Sequence, residues 1–229
     1  MTNAKTKAAP VNKQKSERTG YDTPEITGLN MHYIFVGAVT KVVFPAMQRT
    51  YSWGAEQLQR FFNNLYMDRY INQDTSAIGM FELYISDTST RNRKELYIFN
   101  GQQRIVTMFL LLCNIRDILS RTKAKDRKKF ESTLSKINLL FFQNKLPNGS
   151  FTHFKIQYEG SNDMNILLSN IADPASFAGT VKETEGTTRL KEANLYTKKW
   201  LNSHFEDDYE TLHEFAKFLL GGVFFAGQY

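Results

Sequence analysis

Apolar residues along this chain recur at two spacings, and the change of spacing marks where one kind of element gives way to another. Leu58, Phe61, Phe62 and Leu65, with Arg69 beyond them, put one apolar face on a helix of about four turns. Ile105, Met108, Phe109, Leu112, Ile115 and Leu119 repeat at i, i+3, i+4 and i+7 and predict a helix over 102–120. That face is core packing and needs no cofactor. Between the two helices, Ile78–Ile85 and Leu96–Phe99 are apolar runs short enough for strands. The polar stretch Asp87–Lys94 joins them as a hairpin. Upstream, Met31–Val43 is apolar enough for a strand or a short helix.

The second half changes character. Phe130–Phe142 reads as helix, Leu146-Pro147-Asn148-Gly149 as a turn, and His153–Tyr158 alternates like a strand. Asp163–Asn170 is a short helix, and Asp173–Thr188, rich in Gly, Thr and Ser, is a mobile loop. Leu190–Phe205 and Tyr209–Leu220 are amphipathic helices. Gly221–Tyr229 is an apolar, strand-like run without a polar ending, which would leave an edge or a sticky segment bare. On that ground the chain reads as short at its C-terminal end, either a fragment or dependent on a partner. The pattern predicts an α+β fold: a small mixed β-sheet core with packed helices, followed by a mainly helical region. The expected divisions are a disordered basic tail over 1–28, the core over 29–122, and a helical extension over 123–229.

The densest chemistry lies in Leu96–Thr107. A buried-strand run stops at Asn100-Gly101, a strong turn signal, and Gln102, Gln103 and Arg104 follow as the helix begins. The first N–H groups of a helix lack intrahelical partners, and the helix dipole favours negative charge there. Arg104 adds a planar, permanently charged fork suited to phosphate. The same residues also fit a plain strand–helix connection with polar residues at its exposed end. A second segment, Pro45-Ala46-Met47-Gln48-Arg49-Thr50-Tyr51-Ser52-Trp53, precedes the first helix, with Ser52 as its N-cap and Glu56 in its first turn. Gln48 and Arg49 are hard to place in a core, because a buried arginine needs a partner. Tyr51 and Trp53 either pack the sheet against the helix or offer a stacking surface for a base.

In order, the chain shows Gln-Arg-x-Tyr-x-Trp, an amphipathic helix, a Gly-containing strand, a second strand, Asn-Gly-Gln-Gln-Arg, and a helix. This resembles the N-terminal domain of GmrSD-type modification-dependent restriction endonucleases, which carries Gln-Arg-x-Tyr-x-Trp and Asp-Gly-Gln-Gln-Arg in the same order. The resemblance covers residues 36–119 well and the later helices loosely. It implies a ParB/sulfiredoxin-like core and a sensor module of a bacterial or phage-related restriction, anti-phage defence system. It also implies nucleoside triphosphate hydrolysis with magnesium, coupled to DNA cleavage by a separate His-Asn-His nuclease domain or subunit. On this reading Gly101 and the helix start cradle phosphate, Arg49 and Arg104 neutralise it, and Gln48, Gln102 and Gln103 orient it. The catalytic positions are Asn100, Gln103 and Arg104. Asn100 departs from the family's Asp: an amide cannot act as a general base near neutral pH and is a poorer magnesium ligand than a carboxylate. The alternative is therefore a binding or interaction module without hydrolysis.

Composition narrows the field further. With 229 residues, 41% apolar and 14% aromatic, the chain is long enough for a sizeable core. Its net charge of +6 is uneven. Residues 1–20 carry Lys5, Lys7, Lys13, Lys15 and Arg18 against Glu17, and 121–129 carry six basic residues against Asp126. Those two segments hold +4 and +5, so the remainder is −3. Each patch is a candidate DNA contact, and each is equally a solubilising surface segment. No signal-peptide h-region, transit-peptide bias or membrane-length apolar run occurs. Cys113, the single cysteine, sits in an apolar run as a core thiol, which agrees with a cytoplasmic protein. His32, His153, His204 and His213 lack paired metal-ligand spacing, so no protein-held metal is expected, and His213 is placed on a helix surface or its flank.

Overall fold

The computed structural model describes residues 27–30, 32, 35, 39–88, 93–145 and 151–228. The strands are β1 (Thr27–Asn30), β2 (Val39–Phe44), β3 (Ser76–Thr88), β4 (Arg93–Asn100), β5 (Phe142–Lys145), β6 (Phe151–Phe154), β7 (Ile156–Tyr158) and β8 (Val223–Gln228). The helices are α1 (Ala55–Met67, extended by a π-turn over Asp68–Asn72), α2 (Gln102–Ser120), α3 (Ala124–Phe141), α4 (Asn162–Ala172), α5 (Glu185–Phe205) and α6 (Tyr209–Gly221). The fold is α+β, as the apolar spacing predicts. The tail over 1–26, the turn over 146–149 and the tip of the β3–β4 hairpin lie outside the described residues.

Six strands form one mixed sheet in the order β1-β8-β3-β4-β2-β7, and β5 pairs with β6 apart from it. β3 and β4 are antiparallel, as are β1 and β8, while β8–β3, β4–β2 and β2–β7 are parallel. Strand alternation gives the sheet one apolar face. Val42, Phe44, Phe81, Leu83, Leu96, Ile98, Ile156, Val223 and Phe225 are buried in the same core as α2, whereas Glu82 and Tyr84 are exposed. Helix α2 is the axis of the molecule. It contacts α3, α4, α5 and α6, and Ile105–Ile115 is buried without a break, Cys113 included.

Several expectations shift. The apolar C-terminal run is β8, and it is not an edge: β1 and β3 pair with its two sides. The expected division at residue 122 separates two stretches that build one sheet and one core, since β7 and β8 come from beyond it. His153–Tyr158 is two strands rather than one. Lys155 breaks it, its amide bonding Phe141 O at 2.8 Å and its buried ammonium donating to Phe35 O at 2.8 Å and Leu139 O at 2.9 Å. The helix expected from Phe130 starts at Ala124, so the basic segment 121–129 runs from the α2–α3 turn into the first exposed turns of α3. Helix α5 begins at Glu185 under a Thr184 cap, which shortens the expected loop. His213 is not a surface residue: its ring is buried against Phe130, and Nε2 lies 2.8 Å from Thr133 Oγ1. Among the described residues no helix is long and apolar enough to cross a membrane.

Candidate functional site

Two irregularities in neighbouring strands shape the site. On β4 the register runs Ile98 against Leu83 and then Asn100 against Glu82, so Phe99 is an extra residue. Leu96 and Ile98 point into the core, and unbroken alternation would send Asn100 after them. The bulge instead turns Asn100 outward, where it is exposed. On β3 the pairing with β8 slips between Ala77 and Met80, and Gly79 there has φ +99°. A side chain at Gly79 would overlap Arg104 Nη1.

Arg104 fills this second irregularity. Its Nη1 donates to Ile78 O at 2.6 Å and its Nη2 to Met80 O at 3.0 Å, the carbonyls on either side of Gly79. The guanidinium lies 4.7 Å from the centre of the Phe81 ring, and burial holds its pKa below the ordinary arginine value. No carboxylate pairs with it among the described residues. Its positive charge is fixed in place and unneutralised.

Helix α2 begins beside it without a cap. Gly101 is the N-cap residue, with φ +100°, and a Cβ there would run into the Phe81 ring. Having no side chain, it leaves the first-turn N–H groups uncapped, and no acidic residue sits in that turn. The two glutamines tie the helix start to the Gln48–Trp53 loop. Gln102 Nε2 donates to Arg49 O at 2.7 Å, and Gln103 donates to Thr50 O at 3.1 Å while accepting from Ser52 N at 3.0 Å. From the loop side, Gln48 Nε2 donates to Phe99 O at 2.6 Å. Because Gln103 takes the Ser52 amide, the chain stays extended through Trp53. Helix α1 is therefore capped at Gly54 rather than at Ser52.

The result is a cleft of about 230 Å³ lined by Gln48, Arg49, Trp53, Phe99, Asn100, Gly101, Gln102, Gln103 and Arg104. Every site residue expected from sequence lines it except Tyr51. Tyr51 is buried, and its hydroxyl donates to Thr107 Oγ1 at 2.8 Å, since that oxygen's own proton goes to Gln103 O. Burial pushes the Tyr51 phenol far above its ordinary pKa. No face of its ring is left for a base. Trp53 lines the cleft, is braced edge-on by Phe61 with ring centres 5.4 Å apart, and also lines a neighbouring cleft along α1. Arg49 is exposed and makes no ion pair among the described residues. Deeper in, Gln102 Oε1 and Tyr158 Oη are buried without a well-formed hydrogen bond, although the amide acts on the phenol. Sequence reasoning missed Phe81 and Phe99. The signal for the first was available: a glycine inside a strand marks a bulge or a close approach.

The donor set decides how a metal ion would fit. No carboxylate lines the cleft, and no group of three or more His, Cys, Asp or Glu gathers among the described residues. Magnesium needs hard oxygen ligands, so an ion here would arrive on the phosphates of a ligand, not as a resident of the protein.

An α+β domain whose Gly-Gln-Gln-Arg helix start is stapled to a Gln-Arg-x-Tyr-x-Trp loop defines a recognisable class of module. The family model for the GmrSD restriction endonuclease, N-terminal domain, matches residues 33–221, and the chain belongs to that family. It is thereby a module of a restriction system. No curated protein matches it.

Proposed function

We propose that the cleft binds the phosphates of a nucleoside triphosphate and that the domain acts as a nucleotide sensor for a nuclease partner. The observation that carries this reading is the unopposed positive potential at one concave site. An uncapped helix start, the anchored Arg104 and the free Arg49 meet there with no lining carboxylate. Arg104 supplies a fixed field, Arg49 is the cation able to close on phosphate, and Trp53 offers its ring to the base. The glutamines hold the two motif segments at the spacing this requires. Asn100 has an exposed amide that cannot accept a proton from water near neutral pH, which favours binding over turnover.

DNA would use a different surface. The basic segment 121–129 lies at the far end of α2, about 28 Å from the cleft by helical rise. Titration calorimetry with nucleoside triphosphates tests the main reading. Arg49→Ala should weaken binding about 10- to 100-fold, the range expected for losing a hydrogen bond to a charged group. Because Arg49 is exposed, its thermal midpoint should stay unchanged. Wild-type protein that binds no triphosphate, or an Arg49→Ala variant that binds as well as wild type, would overturn the assignment. Phosphate release from Asn100→Asp, compared with freshly prepared wild type, separates sensor from hydrolase. A rise of about tenfold or more marks a site intact for hydrolysis apart from its amide.

A further inference from the structure

We infer that the groove between α3 and α6 is a second ligand site, built for a small phosphomonoester with an apolar body. It shares no residue with the motif cleft and stands whether or not that cleft binds nucleotide.

Helical spacing builds the groove. Lys129, Ser132 and Lys136 share one face of α3 at i, i+3 and i+7, and His213, Lys217 and Leu220 share one face of α6 at i, i+4 and i+7. Contacts between the two helices rise together along both. Lys129 Nζ meets Glu210 Oε1 at 2.9 Å, and Thr133 Oγ1 meets His213 Nε2 at 2.8 Å. About one turn further on, Lys136 and Lys217 line a cavity of about 420 Å³, larger than the motif cleft. Asn30 and His32, at and just past the end of β1, add a third wall. A recess of this size takes a small organic ligand.

Charge and apolar surface are divided along it. Three lysines line the groove, and no carboxylate does among the described residues. Glu210 and Asp126 hold Lys129, and Glu214 holds Lys217 at 2.6 Å, so these two ammonium groups are positioned and partly neutralised. Lys136 makes no ion pair among the described residues, and the Ser132 hydroxyl one turn before it is exposed. A lysine free to close on an anion thus sits beside a hydroxyl able to donate to it. At the other end, Leu220 and Gly221 belong to the last turn of α6, where the helix dipole disfavours negative charge. The phosphate therefore seats among Ser132, Lys136 and Lys217, and the body of the ligand lies toward Leu220. A recess between two helices admits one terminal phosphate. A duplex backbone would instead follow the exposed charges of 121–129.

Phenyl phosphate and inorganic phosphate are titrated calorimetrically into the full chain, for wild type, Lys136→Gln and Arg49→Ala. Wild type should bind phenyl phosphate about tenfold more tightly than inorganic phosphate, because the ring leaves water. Lys136→Gln should weaken phenyl phosphate by about tenfold or more, with an unchanged thermal midpoint because the lysine is exposed. Arg49→Ala, in the motif cleft, should leave it unchanged. Amide shifts induced by phenyl phosphate should gather on α3 and α6. No binding of phenyl phosphate by wild type overturns the inference, and so does a Lys136→Gln variant that binds as wild type does. Equal affinity for the two anions also overturns it, leaving only surface charge. Binding that Arg49→Ala abolishes and Lys136→Gln spares moves the anion to the motif cleft. A short DNA duplex held through Lys136, with neither small phosphate bound, overturns it in favour of nucleic acid.

Discussion

The Arg104 guanidinium lies over the Phe81 ring, and both of its terminal nitrogens donate to the β3 backbone. As the last residue of Gly-Gln-Gln-Arg it reads from sequence as a charged fork suited to phosphate. In the fold its two donors satisfy the carbonyls of Ile78 and Met80, on either side of the irregularity at Gly79. Arg104→Ala should therefore lower stability by about 2–3 kcal/mol, as charge-assisted hydrogen bonds to a partly buried acceptor pair disappear. Arg104→Lys should recover little, because a single ammonium cannot reproduce a planar fork across two carbonyls. Chemical denaturation without ligand checks both. A stability loss below the error of the extrapolation would show that the bonds to β3 contribute little. The glutamines follow the same logic. Which atoms an amide meets depends on residues about 50 positions away, as in Gln48 to Phe99 and Gln102 to Arg49. No local pattern carries that information.

At the scale of elements, periodicity locates the helices well and the punctuation between them less well. Helix α2 falls where its apolar repeat predicts, because a 19-residue helix buried along its length leaves a long signal. Its start is legible too, as Asn-Gly. What the sequence leaves open is why glycine is needed there. Gly101 sits at φ +100° with the Phe81 ring pressed where a Cβ would go. Gly101→Ala should cost about 1–2 kcal/mol for the left-handed backbone alone, and more because Phe81 must move. The same change should weaken triphosphate binding, since the helix start and Arg104 both rest on Phe81. A variant with unaltered denaturation midpoint and affinity would mean the turn relaxes freely. Bulges and breaks are the poorly legible elements. Phe99 looks like the end of an apolar run, and Lys155 like an outward residue of one strand, until the partners of each are known.

The whole molecule shares one core, and one ionisable group inside it makes that core sensitive to pH. Burial lowers Lys155 from its ordinary 10.5 to about 8. Below that pH the lysine is charged in both the folded and the unfolded chain. Between about 8 and 10.5 the folded protein releases its proton while the unfolded chain keeps it, so rising pH favours folding. The buried thiol of Cys113 and the phenols of Tyr51 and Tyr158 act oppositely at the upper end, because burial raises them. The clean measurement is a difference: across that interval, wild type should gain stability relative to Lys155→Met. Parallel curves for the two proteins would show that the ammonium is solvated in the fold. The placement of β8 has a consequence of another kind. Ser76 of β3 is in register with Val223 of β8, so 147 residues separate the two partners along the chain. A ribosome needs about 7–30 s to add that many residues. During that interval the stretch of β3 around Gly79 has no neighbour on its β8 side. Arg104 emerges long before the sheet that gives its two acceptors their final positions. The cleft between the two motifs is thus completed only after the residues that line it have already been made.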